Sequence, residues 1–214
     1  MALNDGIETQ PGSPWTTRIP AERFAGAQSL LTRFGADESH AYRVTARACT
    51  LFSWLTEAGL LPDSAEDRIE SLLLGCLLHD VGQVIADQAH HHHSQYIIAH
   101  SEATASWSPS LRDDVCSLAL AHRKPLLRRR AVKIMGHDQD LLRLAAVLRV
   151  ADGLDRARDP LVTLASAHVH RRRFSLIANG LSDQDRDHLL RKKADVWSLA
   201  FDGQEFSLNN RSNP

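Results

Sequence analysis

The chain has 214 residues, 43% apolar and 24% charged, an ordinary globular composition and long enough to bury a core. Its 25 Lys and Arg nearly balance 26 Asp and Glu, so bulk charge singles out no nucleic-acid or membrane partner, and no apolar run approaches the ~20 residues that span a bilayer. The opening MALNDGIETQPGSPW has neither a basic n-region nor an apolar h-region, so no secretory signal is expected, and Cys49, Cys76 and Cys116 read as buried free thiols of a reducing, cytoplasmic protein.

Residues 1–18 carry Gly, Pro, Ser and Thr without apolar periodicity and read as a poorly ordered arm. From Pro20, the residues Phe24, Ala27, Leu30, Leu31 and Phe34 recur at helical spacing up to Gly35. A second helix is predicted over about 38–59, with Val44, Ala48, Leu51, Phe52 and Leu55 on one face. A third spans about 65–79, and its run LLLGCLLH marks it as central. Short helices follow at 93–102 and at 111–122, the latter capped by Ser110 and stopped by Pro125. The segment DQDLLRLAAVLRVAD predicts a helix over 138–152, with Gly153 just beyond it. Alternation then predicts strands at 164–170 and 173–178, a last helix at 183–201 and a final strand at 204–208. The expected organisation is the arm, one domain over 19–208 whose hairpin and last helix fill about 160–208, and a tail at 209–214. The fold class is mostly α with a small C-terminal β appendage, and Trp54, Trp107 and Trp197 are candidates for a homo-oligomer interface.

Twelve histidines stand out, and the ionisable residues fall at telling places. His79 and Asp80 end one apolar helix, His122 ends another, and Asp152 ends a third. His40 lies one turn before Val44. Imidazoles and carboxylates at the ends of apolar helices are costly unless paired or metal-bound. A lone histidine is usually core or surface, but this ordered set suits a divalent ion. The basic runs Arg123–Lys124, Arg128–Arg130, Arg171–Arg173 and Arg191–Lys193 read first as solvated surface, and without an aromatic platform they give no nucleic-acid partner.

The order H…HD…D resembles the HD superfamily of metal-dependent phosphohydrolases. More narrowly, LLHDVGQVI, HHHHSQYII, LALAHRKP, LLRLAAVLRVADGLDR and RKKADVWSLAFDGQEFSL are similar to the C-terminal HD domain of the exopolyphosphatase/guanosine-pentaphosphatase family, over about residues 20–208. That resemblance implies an HD-domain helical bundle in which His40, His79, Asp80 and Asp152 hold metal and His93 and His122 complete a second site, with His90 to His92 facing solvent. It implies one or two divalent ions (Mn, Mg, Fe, Co, Ni or Zn), bridged by Asp80, and a metal-activated water attacking a phosphoester or phosphoanhydride. Arg123 and Lys124 would neutralise phosphate oxygens, and Arg156 would do the same or pair with a carboxylate. The ligand would be a nucleotide, a phosphorylated small molecule or polyphosphate.

Two departures narrow the resemblance. Gln83 stands where cyclic-di-GMP phosphodiesterases of the HD class carry lysine, and their GYP segment is missing, since Arg123, Lys124 and Pro125 follow His122. These 214 residues also hold no actin-like ATPase domain of the kind a full exopolyphosphatase carries. The alternative to an enzyme is therefore a regulatory module that binds polyphosphate or a phosphorylated nucleotide without turning it over. A helical interaction protein with a purely structural metal is a third reading.

Overall fold

A computed structural model describes residues 13–209. The fold is mostly α with a small three-stranded sheet near the C-terminus, as the periodicities predict. The first helices are α1 (Ala21–Arg33) and α2 (Glu38–Glu57), separated by a turn at Gly35 with φ +58°. The Asp37 carboxylate caps α2 by accepting from the His40 backbone N–H at 3.0 Å, which sets His40 in the first turn.

The helix predicted over 65–79 is in fact two, α3 (Asp63–Glu66) and α4 (Ile69–Leu78). Arg68 sits at the break and donates to Asp114 at 2.6 Å and Asp138 at 2.7 Å, so its neighbourhood is tied sideways instead of continuing the helix. Every residue from Ser71 to Leu78 is buried, and α4 packs on α1, α2 and the helices Pro109–Ala121 and Gln139–Leu154 described below. This is the central helix the apolar run foretold.

Next come α5 (His90–His100) and α6 (Pro109–Ala121). The first begins three residues earlier than expected. The cap of α6 is Ser108, whose Oγ accepts from Leu111 N–H at 3.2 Å, and not Ser110. The basic run Arg128–Arg130 opens a helix the sequence reading missed, α7 (Arg128–Met135), where Arg130 donates to the Leu120 carbonyl at 2.7 Å. The long α8 (Gln139–Leu154) includes Gly153, which was expected beyond its end. A Cβ at Gly153 would lie 3.0 Å from Lys193 Cγ and 3.1 Å from Leu189 Cγ, so glycine admits a close neighbour at some cost in helix propensity.

That neighbour is the C-terminal unit. Strands β1 (Thr163–His170) and β2 (Arg173–Asn179) pair antiparallel, and β3 (Glu205–Asn209) joins β2 in parallel, with Leu176 opposite both Ala167 and Leu208. The continuous helix predicted over 183–201 is broken into α9 (Asp183–His188), a π-helical turn Leu189–Lys193, a 3₁₀ turn Ala194–Val196 and α10 (Trp197–Ala200). The cause is Arg149 on α8, 1% exposed. Its guanidinium donates to the Lys192 carbonyl at 2.7 Å and the Asp195 carboxylate at 2.7 Å, so the chain turns its acceptors toward α8 instead of along a helix axis.

Two further expectations are corrected. Residues 14–18 are not part of an arm: they form a 3₁₀ turn whose Trp15 is buried, edge-on to Phe24 at 5.9 Å. The remainder of the proposed arm, 1–12, and the tail from 210 lie outside the described residues. Trp107 and Trp197 are core residues and unavailable as an interface, while Trp54 is partly buried against the same core. Among the described residues no helix is long and apolar enough to cross a membrane.

Candidate metal centre

Five helices deliver ionisable side chains to one place. His40 comes from the first turn of α2, His79 from the C-cap of α4 with Asp80 directly after it, His90 from the first residue of α5, His122 from the C-cap of α6 and Asp152 from the last turn of α8. All four imidazoles are buried.

The donor atoms fall into two groups that share Asp80. In the first, His40 Nε2 lies 3.2 Å from His79 Nε2, 3.6 Å from Asp80 Oδ2 and 3.6 Å from Asp152 Oδ1. In the second, Asp80 Oδ1 lies 3.0 Å from His90 Nε2 and 3.3 Å from His122 Nε2, and those two nitrogens are 2.9 Å apart. Metal–nitrogen bonds of about 2.1 Å place neighbouring ligands roughly 3.0–3.4 Å apart, so both groups have the spacing of a divalent coordination shell.

The outer hydrogen bonds orient the rings. His40 Nδ1 is 2.7 Å from Asp155 Oδ2, His79 Nδ1 2.8 Å from the Cys76 carbonyl, and His122 Nδ1 2.7 Å from the Ala119 carbonyl. Each acceptor fixes the hydrogen on Nδ1 and leaves a lone pair on Nε2, directed at the other donors. Converging lone pairs repel one another, and a cation among them removes that repulsion. The donor chemistry therefore fits a divalent metal.

Asp155 is the residue that anchors this arrangement, and within ADGLDR no local pattern sets it apart. It is fully buried and takes hydrogen bonds from Arg43 at 2.8 Å and Arg47 at 2.5 Å as well as from His40. Burial raises the Asp80 carboxyl, but the surrounding imidazoles of His79, His122 and His90 outweigh that and hold it well below the usual carboxylate range. Burial likewise opposes ionisation of Asp152, and Lys193 and His79 overcome it. Burial pushes His122 down to about 4, so this ring is neutral at ordinary pH, as a ligand must be.

Among the four consecutive histidines, position in the fold decides. The expectation that His93 belongs to the cluster is not matched by the geometry, because His93 is half-buried and outside both groups, while His90 supplies the ligand-like nitrogen. His90 and His91 are buried instead of facing solvent. Gly82 sets this register. A Cβ there would stand 2.6 Å from the His90 carbonyl oxygen and 2.7 Å from the His93 carbonyl carbon, and would also strike Ser94 N. Gly82→Ala must therefore push α5 away, costing about 1–3 kcal/mol and withdrawing His90. A urea midpoint unchanged from wild type would refute that account.

A cavity of about 340 Å³ opens over the two groups. Six cationic side chains line it: Arg123, Lys124, Arg156, Arg158, Lys192 and Lys193. Arg123 and Lys124 are where the sequence reading expected phosphate-binding groups, and Arg156 pairs with Asp185 at 2.6 Å. The others were missed. Arg158 approaches Asp80 Oδ2 at 3.4 Å and leaves its Nη1 buried without a hydrogen-bond partner. Lys193 donates to Asp152 Oδ2 and, at 3.1 Å, to the His122 carbonyl, bracing one member of each group. Only the π-helical turn turns Lys192 and Lys193 into the cavity, and the sequence shows nothing but a basic run there.

The family description Ppx/GppA phosphatase, domain III matches residues 23–207, nearly the whole described chain. The chain belongs to this family. In this Ppx/GppA domain III, the matched region takes in every residue of both donor groups and every cation of the cavity. The relationship makes the protein phosphatase-related, and the convergence of His, Asp, Lys and Arg is where such chemistry would sit.

Proposed function

We propose that this chain is a metal-dependent phosphohydrolase of the HD type, acting on a phosphoester or phosphoanhydride. The observation that carries the reading is the orientation of His40, His79 and His122: each Nδ1 faces an outer acceptor while each Nε2 faces Asp80 or Asp152. His40, His79, Asp80 and Asp152 would hold one divalent ion, and Asp80, His90 and His122 a second. When bound, such a pair supplies Lewis-acid charge and acidifies water for attack on phosphorus.

The chain's own residues do the rest. Asp80 spans the groups with its two oxygens, and Lys193 keeps Asp152 turned toward His40 and His79. Arg158, Lys124 and Lys192 line the cavity and would neutralise phosphate oxygens. Six cationic side chains among the lining residues favour recognition through phosphate.

The same cations favour a second reading, a module that binds polyphosphate or a phosphorylated nucleotide without hydrolysing it. The separating experiment strips the purified protein of metal, reloads it with Mn²⁺, Mg²⁺, Fe²⁺, Co²⁺, Ni²⁺ or Zn²⁺, and screens phosphomonoesters, nucleotides and polyphosphate. Turnover with at least one ion is expected. Anion binding without turnover under every ion would establish the module instead.

A further inference from the structure

We infer that Arg123 is a latch on the second donor group, holding His90 in the ring form that cannot ligate until a phosphate-bearing anion draws the arginine away. This rests on the metal reading above and adds a regulation of the same site. His40, His79 and His122 each have one Nδ1 partner, an acceptor. His90 alone has two that exclude each other. Its Nδ1 lies 3.0 Å from the Asp87 carbonyl and 2.7 Å from Arg123 Nη1.

A neutral imidazole carries one hydrogen. If Nδ1 bears it, Nδ1 donates to the Asp87 carbonyl, repels the guanidinium and leaves Nε2 free to ligate. If Nδ1 is bare, it accepts from Arg123, and the hydrogen sits on Nε2. There it donates to Asp80 Oδ1 at 3.0 Å or to His122 Nε2 at 2.9 Å, which satisfies the group without an ion. Arg123 also donates to the Asp87 carbonyl, so it occupies both ends of the bond that would otherwise set the ring for ligation.

Arg123 is built to move. Its carbonyl is anchored by Arg130 at 2.9 Å, while its side chain is 32% exposed on the cavity wall, and among the described residues its charged partner is the exposed Asp87 carboxylate at 3.8 Å. A phosphate in the cavity offers charged oxygens, stronger acceptors than a neutral ring nitrogen and a carbonyl. The first donor group is thus set in advance and the second is conditional. By linkage, phosphate and the second ion each strengthen the binding of the other.

The test counts Mn²⁺ bound per chain by titration, following free Mn²⁺ by electron paramagnetic resonance, with and without inorganic phosphate. Wild type should hold one ion tightly and a second about tenfold or more weaker until phosphate is added. Arg123→Ala should hold the second ion tightly in both conditions. His90→Ala should never hold it tightly. Phosphate that merely bridges two ions would leave the dependence intact in Arg123→Ala, and that result overturns the latch while sparing the metal reading. So would two equally tight ions in wild type without phosphate. A chain that takes up no Mn²⁺ in any form overturns the metal reading and the latch with it.

Discussion

Asp80→Asn is expected to abolish turnover, by about a thousandfold or more, and to lower metal content to one ion or none. Asp80 gives Oδ2 to the group of His40 and His79 and Oδ1 to the group of His90 and His122, and no other residue among those described serves both. Asparagine keeps the size but loses the charge and puts an amide nitrogen where one donor oxygen stood. Elemental analysis reads the metal, and steady-state rates on the best substrate of the screen read the chemistry. A variant that retains two ions and at least a tenth of the wild-type rate would show that the centre is not where the work is done. Circular dichroism excludes misfolding as the cause, since Asp80 lies at the cavity surface and not within the apolar core.

Asp155→Ala should cost about 3–5 kcal/mol of stability, the largest loss expected from any one polar residue here. The reason lies in Arg47, which is 1% exposed and finds its carboxylate partner in Asp155. Removing the carboxylate leaves a guanidinium in the interior with only the Val162 carbonyl at 2.8 Å. His40 loses its outer acceptor in the same step, so the affinity of the first group for metal should fall about 10–100-fold. Urea denaturation of the metal-free protein measures the first effect, and competition with a chelator measures the second. Asp155→Asn, which keeps an acceptor for His40, covers the case in which the alanine variant does not fold. A loss under 1 kcal/mol in both would mean that Arg47 is paid for by something other than this ion pair.

Much of the candidate site could be read along the chain because side chains of metal-ligand type here occupy helix ends. His79 and Asp80 close the apolar run LLLGCLL, His122 closes LALA, and Asp152 closes LAAVLRVA, positions where a buried polar group has no other excuse. The structure brings these four and His40 together. What escaped was set by packing between elements. The resemblance favours His93 over His90, but the choice among consecutive histidines depends on where α5 starts. That start is fixed by the contact of Gly82 with the α5 backbone, which no local pattern records. Lys193 escaped for a similar reason: basic runs are ordinarily solvated, and only the hold of Arg149 on the Lys192 carbonyl turns this one inward.

The amino-acid sequence alone determined the helical fold class, the central helix, the strand positions and the order of metal-type residues, since these follow from periodicity and from the cost of burying charge. Tertiary structure decided the breaks at Arg68 and at the π-helical turn, the parallel pairing of β3 with β2, the role of Asp155, and which nitrogen of each histidine faces the centre. Those features arise from hydrogen bonds between residues far apart in the chain. A buried arginine or imidazole must find its acceptor wherever the fold supplies one, and local spacing carries no record of that place.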